Sequence, residues 1–205
     1  MPRKTRPFVI RDRLQLRSLA SPVRQEIVDV LCELGTLAVT ELAATLDRPA
    51  DALYYHLRAL VKCGLVKRAG HRLDGQRKEE LFRSVSPDLR LQYETGAGGN
   101  GREVTRIVGS MLRLGTRDFA RAFRHGDAKV SGAGRELWAL RRTGWLTARQ
   151  VVELNRSMSR LSDTVSKPRG RGRLYAITLL LTPVDRRSQP RAKRQAGAKG
   201  VRVKP

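Results

Sequence analysis

Acidic, cysteine and aromatic residues are all scarce in this chain. Its 205 residues include 19 Asp or Glu against 42 Lys or Arg, a formal net charge of +23. A chain this basic is expected to meet a polyanion. Nucleic acid comes before an anionic membrane, because no segment sets a concentrated Lys/Arg face against a bulky apolar one. Residues 186–205 hold eight of the 42 cations and none of the 19 acids, so residues 1–185 still carry +15. Two cysteines, Cys32 and Cys63, cannot build a disulfide framework and read as inert thiols rather than a redox pair. The histidines, His56, His71 and His125, form no ligand cluster with Cys, Asp or Glu, which argues against a metal centre. No apolar run, Leu179–Leu181 included, approaches the length needed to span a bilayer, and no N-terminal apolar h-region is visible. A reduced, cytoplasmic, nucleoid-associated protein with no membrane partner and no cofactor is expected. No catalytic constellation emerges either. GAGGNG at 96–101 precedes a helical pattern, but no apolar strand feeds it, and neither a nucleophile elbow nor a carboxylate pair is present. The expectation is a protein that is not an enzyme.

What is present is concentrated between Ser21 and Val85. Residues 1–11 are basic and aperiodic and read as a flexible arm. Asp12 reads as a helix N-cap with Gln15 as its return partner. Ser21-Pro22 starts a second helix, with Val23, Ile27, Val30, Leu31 and Leu34 on one face and Gly35 as its stop. Thr40 is expected to cap a third helix, whose Leu42, Ala43 and Leu46 face inward. Asp47-Arg48-Pro49 is a turn. The next helix, Asp51–Lys62, puts Leu53, Leu57 and Leu60 on one side at 100° per residue. Asp51, Tyr55, Arg58 and Lys62 fall opposite, with Tyr54 at the flank. An ordinary solvated face carries several Glu and Lys, whereas this one shows two tyrosines, two cations and one acid. His56 lies at the margin, where packing and an outward contact are equally weighted. After Gly64, Leu65–Leu73 and Lys78–Val85 read as strands joined through Asp74-Gly75.

Three helices and a hairpin are the layout of a winged helix-turn-helix, which places one helix in the DNA major groove. Arg48, Asp51, Tyr54, Tyr55, His56, Arg58 and Lys62 are the expected DNA-contacting residues around that helix. Arg72, Arg77 and Lys78 at the wing tip are assigned to the phosphate backbone or adjacent minor groove. The strings LRSLASPVRQEIVDVL, ELAATL and LYYHLRALVKCGLVKR, followed by the basic wing, resemble the ArsR-type winged-helix transcriptional regulators of prokaryotes. The resemblance covers about Leu14 to Val85. It implies a homodimeric repressor or activator that reads an inverted repeat in double-stranded DNA. The metal-sensing members carry a Cys-rich motif where this chain has Val39-Thr40-Glu41-Leu42-Ala43, so sensing through that site is not expected. The rival reading is a non-specific nucleic-acid or nucleoid-binding protein using the winged helix as a cationic platform.

Beyond residue 90 the reading is coarser. Residues 91–101, with TGAGGNG, read as a flexible linker. Arg102–Phe123 is a long helix whose Val104, Ile107, Val108 and Met111 are assigned to dimer contact. Glu136–Leu140 and Leu174–Thr182 read as strands around a helix that Thr147 and Gln150 cap, giving a small α/β region over 102–183 that dimerises or binds a small effector. Trp138 and Trp145 read as core, or less readily as pocket walls. Residues 184–205 lack apolar periodicity and read as a disordered basic tail. The expected fold is thus mainly α with a β-hairpin wing (residues 12–90), a small α/β C-terminal region and disordered basic tails.

Overall fold

The computed structural model describes residues 7–75, 77–166 and 173–184; the Arg77 side chain and the 185–205 segment, with the tail reading attached to it, lie outside the described residues. Asp12 caps α1 (Arg13–Leu19) as the sequence indicates, its Oδ1 accepting from the Leu14 and Gln15 amides at 2.8 and 3.1 Å. Gln15 does not return that bond. Its Nε2 donates instead to the Cys63 carbonyl at 3.0 Å, satisfying the end of a distant helix. Pro22 opens α2 (Pro22–Leu34) at the first turn, and Gly35 closes it at φ +84°, where only glycine is unstrained.

A two-residue strand, β2 (Leu37–Ala38), then leads into α3 (Val39–Leu46). Glu41, rather than Thr40, completes its first turn, its Oε2 accepting from the Ala38 amide at 2.7 Å. Thr40 instead donates to Glu79 on the wing at 2.8 Å. Asp47 turns left-handed at φ 53°, Pro49 is the N-cap, and α4 runs Ala50–Lys62. The hairpin expected as the wing is β3 (Val66–Asp74) and β4 (Arg77–Ser84), paired antiparallel with Asp74 opposite Arg77. The sheet order is β2-β4-β3.

Ile27, Leu31, Leu42, Leu53, Leu57, Leu60, Leu65 and Phe82 meet in one core, all essentially without solvent exposure. All but Leu65, which lies in the bend after α4, come from stripes that the 3.6-residue or two-residue period places inward.

Two expectations at the edges of this unit need correction. Residues 8–10 are not a flexible arm: Phe8–Ile10 forms β1, parallel to β5 (Leu89–Leu91), and Ile10 is 1% exposed in the core. Burial of Phe8 and Ile10 on either side of solvent-facing Val9 is what a period-two strand does. The stretch before α5 is not a loose linker either. Asn100, almost fully buried, accepts from the Glu94 amide at 3.0 Å and donates to the Gln92 carbonyl at 2.8 Å, fixing the glycine turn.

Helix α5 (Gly101–His125) packs across α1 and α2, burying Val104 and Ile107. The C-terminal α/β expectation fails among the described residues. Helix α6 (Ala148–Val165) forms with the expected Thr147–Gln150 capping box, but neither Glu136–Leu140 nor Leu174–Thr182 is a strand. A strand needs a ladder partner, and no described segment pairs with either. Trp138 is 65% exposed with the Arg135 guanidinium 3.4 Å over its ring, and Trp145 is also exposed, so neither is core.

Candidate nucleic-acid interface

The core fixes one face of α4 and leaves the other in solvent. With Leu53, Leu57 and Leu60 fully buried, the 100° rotation per residue turns Asp51, Tyr54, Tyr55, Arg58 and Lys62 outward. Tyr55 is 66% exposed, and neither its hydroxyl nor that of Tyr54 has a partner among the described residues. Arg58 makes only a long contact, 3.4 Å, from Nε to the Tyr54 carbonyl, and no described carboxylate pairs with Arg58 or Lys62. Apart from that one Arg58 contact, these four side chains make no hydrogen bond among the described residues. Both ends of the helix are pinned: the Gln15 bond holds Cys63, and the turn before it is held by Arg48.

Arg48 lies in a different setting from the others. It is half-buried and bonds the Glu26 carboxylate at 2.9 Å, while Glu26 also takes Arg117 of α5 at 2.6 Å. Burial pushes the Glu26 carboxyl up, but hydrogen bonds and charge from Arg117 and Arg48 outweigh it and hold the group below its ordinary value. Arg121 of α5 reaches Asp47 in the same turn at 3.5 Å. Arg48 therefore braces the turn rather than standing free.

His56 is half-buried, edge-on to Tyr55 with ring centroids 5.3 Å apart. Burial, then the nearby Arg24 and Arg48 charges, depress its pKa, so it is a neutral imidazole at neutral pH. Its buried Nδ1 has no partner among the described residues.

On the wing the cations divide. Arg72 is occupied by Glu41 at 3.1 Å and Glu79 at 3.2 Å, which tie the wing to α3, and Arg68 pairs with Glu80 at 2.8 Å. Lys78 is exposed without a described partner. Lys67 and Arg83 sit directly opposite one another across β3 and β4, both exposed and with no carboxylate between them. Like charges facing across a ladder repel, so this is a position an anion relieves. Arg83 escapes sequence reasoning because only the register makes it the neighbour of Lys67. A cleft of about 410 Å³ runs between α4 and the wing, lined by Asp51, Tyr54, Arg58, Arg68 and Glu80 over Leu57 and Phe82.

The four residues assigned to dimer contact are not together on the surface. Val104 and Ile107 are buried in this chain's own core, Met111 packs against that core, and Val108 is half-buried. Val104, Ile107 and Met111 seat α5 on the chain's own core. Burial pushes Cys32 up to about 11, and its sulfur bonds Ser84 and the Ser86 carbonyl, both at 3.3 Å. Neither tryptophan lines the α4–wing cleft or a second cleft along α5. No helix among the described residues is long and apolar enough to cross a membrane.

No curated protein matches the chain significantly. Residues 19–69, which span α2, the α3–turn–α4 unit and the start of the wing, match a family model described as "Helix-turn-helix domain", and this stretch is a helix-turn-helix domain.

Proposed function

We propose that this protein is a sequence-specific DNA-binding transcriptional regulator of ArsR-like type, acting as a homodimer on an inverted repeat. Helix α4 enters the major groove. Arg58 reads a base edge, Tyr54 and Tyr55 pack on or bond to neighbouring edges and phosphates, and Lys62 meets the backbone. Lys67, Lys78 and Arg83 supply open charge on the wing, with Arg77 at its turn. Arg48 and Arg72 act through position, Arg48 by bracing the turn into α4 and Arg72 by fixing the wing against α3. The remaining cationic excess draws the chain to DNA without regard to sequence. One observation carries this reading: α4 is seated on three fully buried leucines while its outer face keeps two tyrosines, an arginine and a lysine unpaired. A merely solvated face has no need of two adjacent exposed aromatics.

Selection of bound duplexes from a random pool at near-physiological salt tests it. The expected result is an enriched inverted repeat with half-sites about one helical turn apart. Tight binding with no enriched sequence, collapsing as salt rises, would assign the protein to non-specific nucleic-acid binding.

A further inference from the structure

Helix α6 carries an apolar line that nothing among the described residues buries. Val151, Leu154, Met158, Leu161 and Val165 recur at spacings of three and four, the a and d positions of two heptads. No side chain of the helix is buried, and Leu154, Leu161 and Val165 are exposed. A stripe this narrow fits a single partner helix; a helix laid on a globular core shows a broader apolar face.

The polar residues say which partner. All five charged side chains of α6, Arg149, Glu153, Arg156, Arg160 and Asp163, project within about 60° of the line directly opposite the seam, at 100° per residue. The six positions flanking the seam are Ala148, Gln150, Asn155, Ser157, Ser162 and Thr164, every one uncharged. In a chain with a net charge of +23, a flank free of charge is what permits an identical copy to approach. Charged flanks of one sign would repel a copy and select a complementary stranger.

We propose that α6 is a homotypic docking surface, its Val151–Val165 seam pairing with the same seam of a second copy of this chain. The inference rests on the dimeric part of the reading above and supplies the surface for it, in place of the α5 residues spent on the chain's own core. The 18-residue helix, about 27 Å long, is too short to hold two free peptides together. The pairing therefore belongs to the folded chain, in which the Thr147–Gln150 box has already formed the first turn.

Met158 is the middle residue of the five and meets its own copy whether the helices run parallel or antiparallel. The full-length chain and its Met158→Glu and Met158→Lys variants should be compared by sedimentation over a range of concentrations. The native chain is expected at twice its 23.0 kDa mass. Each variant is expected at 23.0 kDa where the native chain is dimeric. An equimolar mixture of the two, one isotopically heavy, should regain the dimer with one copy of each, which a misfolded variant could not do. A native dimer that survives Met158→Glu, or two monomeric variants that fail to pair when mixed, overturns the seam and leaves the dimer itself standing. A native chain monomeric throughout overturns both, whatever duplexes it selects.

Discussion

Leu57 and Leu140 are the same side chain in opposite circumstances. The first is fully buried among α2, α3 and the wing; the second is 67% exposed in a stretch with no regular structure. The contrast holds for the regions around them. From Phe8 to Met111 each apolar stripe is covered by an element of the same chain. From Val130 to Val184, Trp138, Trp145, Leu174, Ile177 and Leu180 all face solvent. Apolar content alone does not close a core. Closure needs stripes of matching period on elements that can reach one another, and here only the first region has them.

The sharpest way to break the comparison is to shorten both leucines. Leu57→Ala should cost about 2–5 kcal/mol in urea unfolding, because the void sits in a packed centre. Leu140→Ala should stay within about 0.5 kcal/mol. Equal losses would mean that the second region is covered in solution. Next comes the outer face of α4. Arg58→Ala should weaken binding to the selected duplex by about 1–3 kcal/mol and relax preference at one base position, leaving random duplex nearly untouched. Equal loss on both duplexes would remove Arg58 from sequence reading.

Glu26→Gln sharpens the boundary between the regions, since that carboxylate joins α2 to both Arg48 and Arg117 of α5. Its partners are partly exposed, so about 1 kcal/mol of stability at neutral pH is expected to be lost. The folded pKa of Glu26 is depressed. Its contribution is therefore present in full above the ordinary glutamate value and fades as pH falls through the lower folded one. Native and Glu26→Gln unfolding curves should converge in acid; a gap that widens there would contradict the ion pairs. The smallest effect is expected on the wing. Lys67→Gln or Arg83→Gln should each lower the slope of log affinity against log salt by about one unit, with no change in sequence preference. Because the two cations repel each other, either change should leave stability unaltered or slightly raised.

The helix-turn-helix and the hairpin after it are legible because their signals are local. Pro22, Gly35, Pro49 and Gly64 mark boundaries, and Leu53, Leu57 and Leu60 declare a face by spacing alone. What escaped depends on residues far apart in the chain. Phe8–Ile10 looks aperiodic until it finds Leu89–Leu91, and Gln15 looks like its own helix's cap until Cys63 comes within reach. Arg72 looked like a free cation because Glu41 and Glu79 arrive from two other elements. In the C-terminal region the error ran the other way. LYAITLLLT has strand composition, but composition carries no ladder, and no described segment supplies one. The candidate site divides along the same line, with α4 readable from spacing and the wing readable only from register.

The pairing of β1 with β5 bears on the order of events during synthesis. Position 8 must wait for position 89, and the core place of Ile10 stays unfilled until Leu91 has left the ribosome. Helices α1 to α4 and the hairpin form from near neighbours and can assemble earlier. Bridging so long a loop carries a larger entropic cost than any closure within α1–α4 and the hairpin, and comes late. A nascent chain halted before residue 89 would hold its helix-turn-helix in place but unlatched, with the first strand and α5 both still to dock.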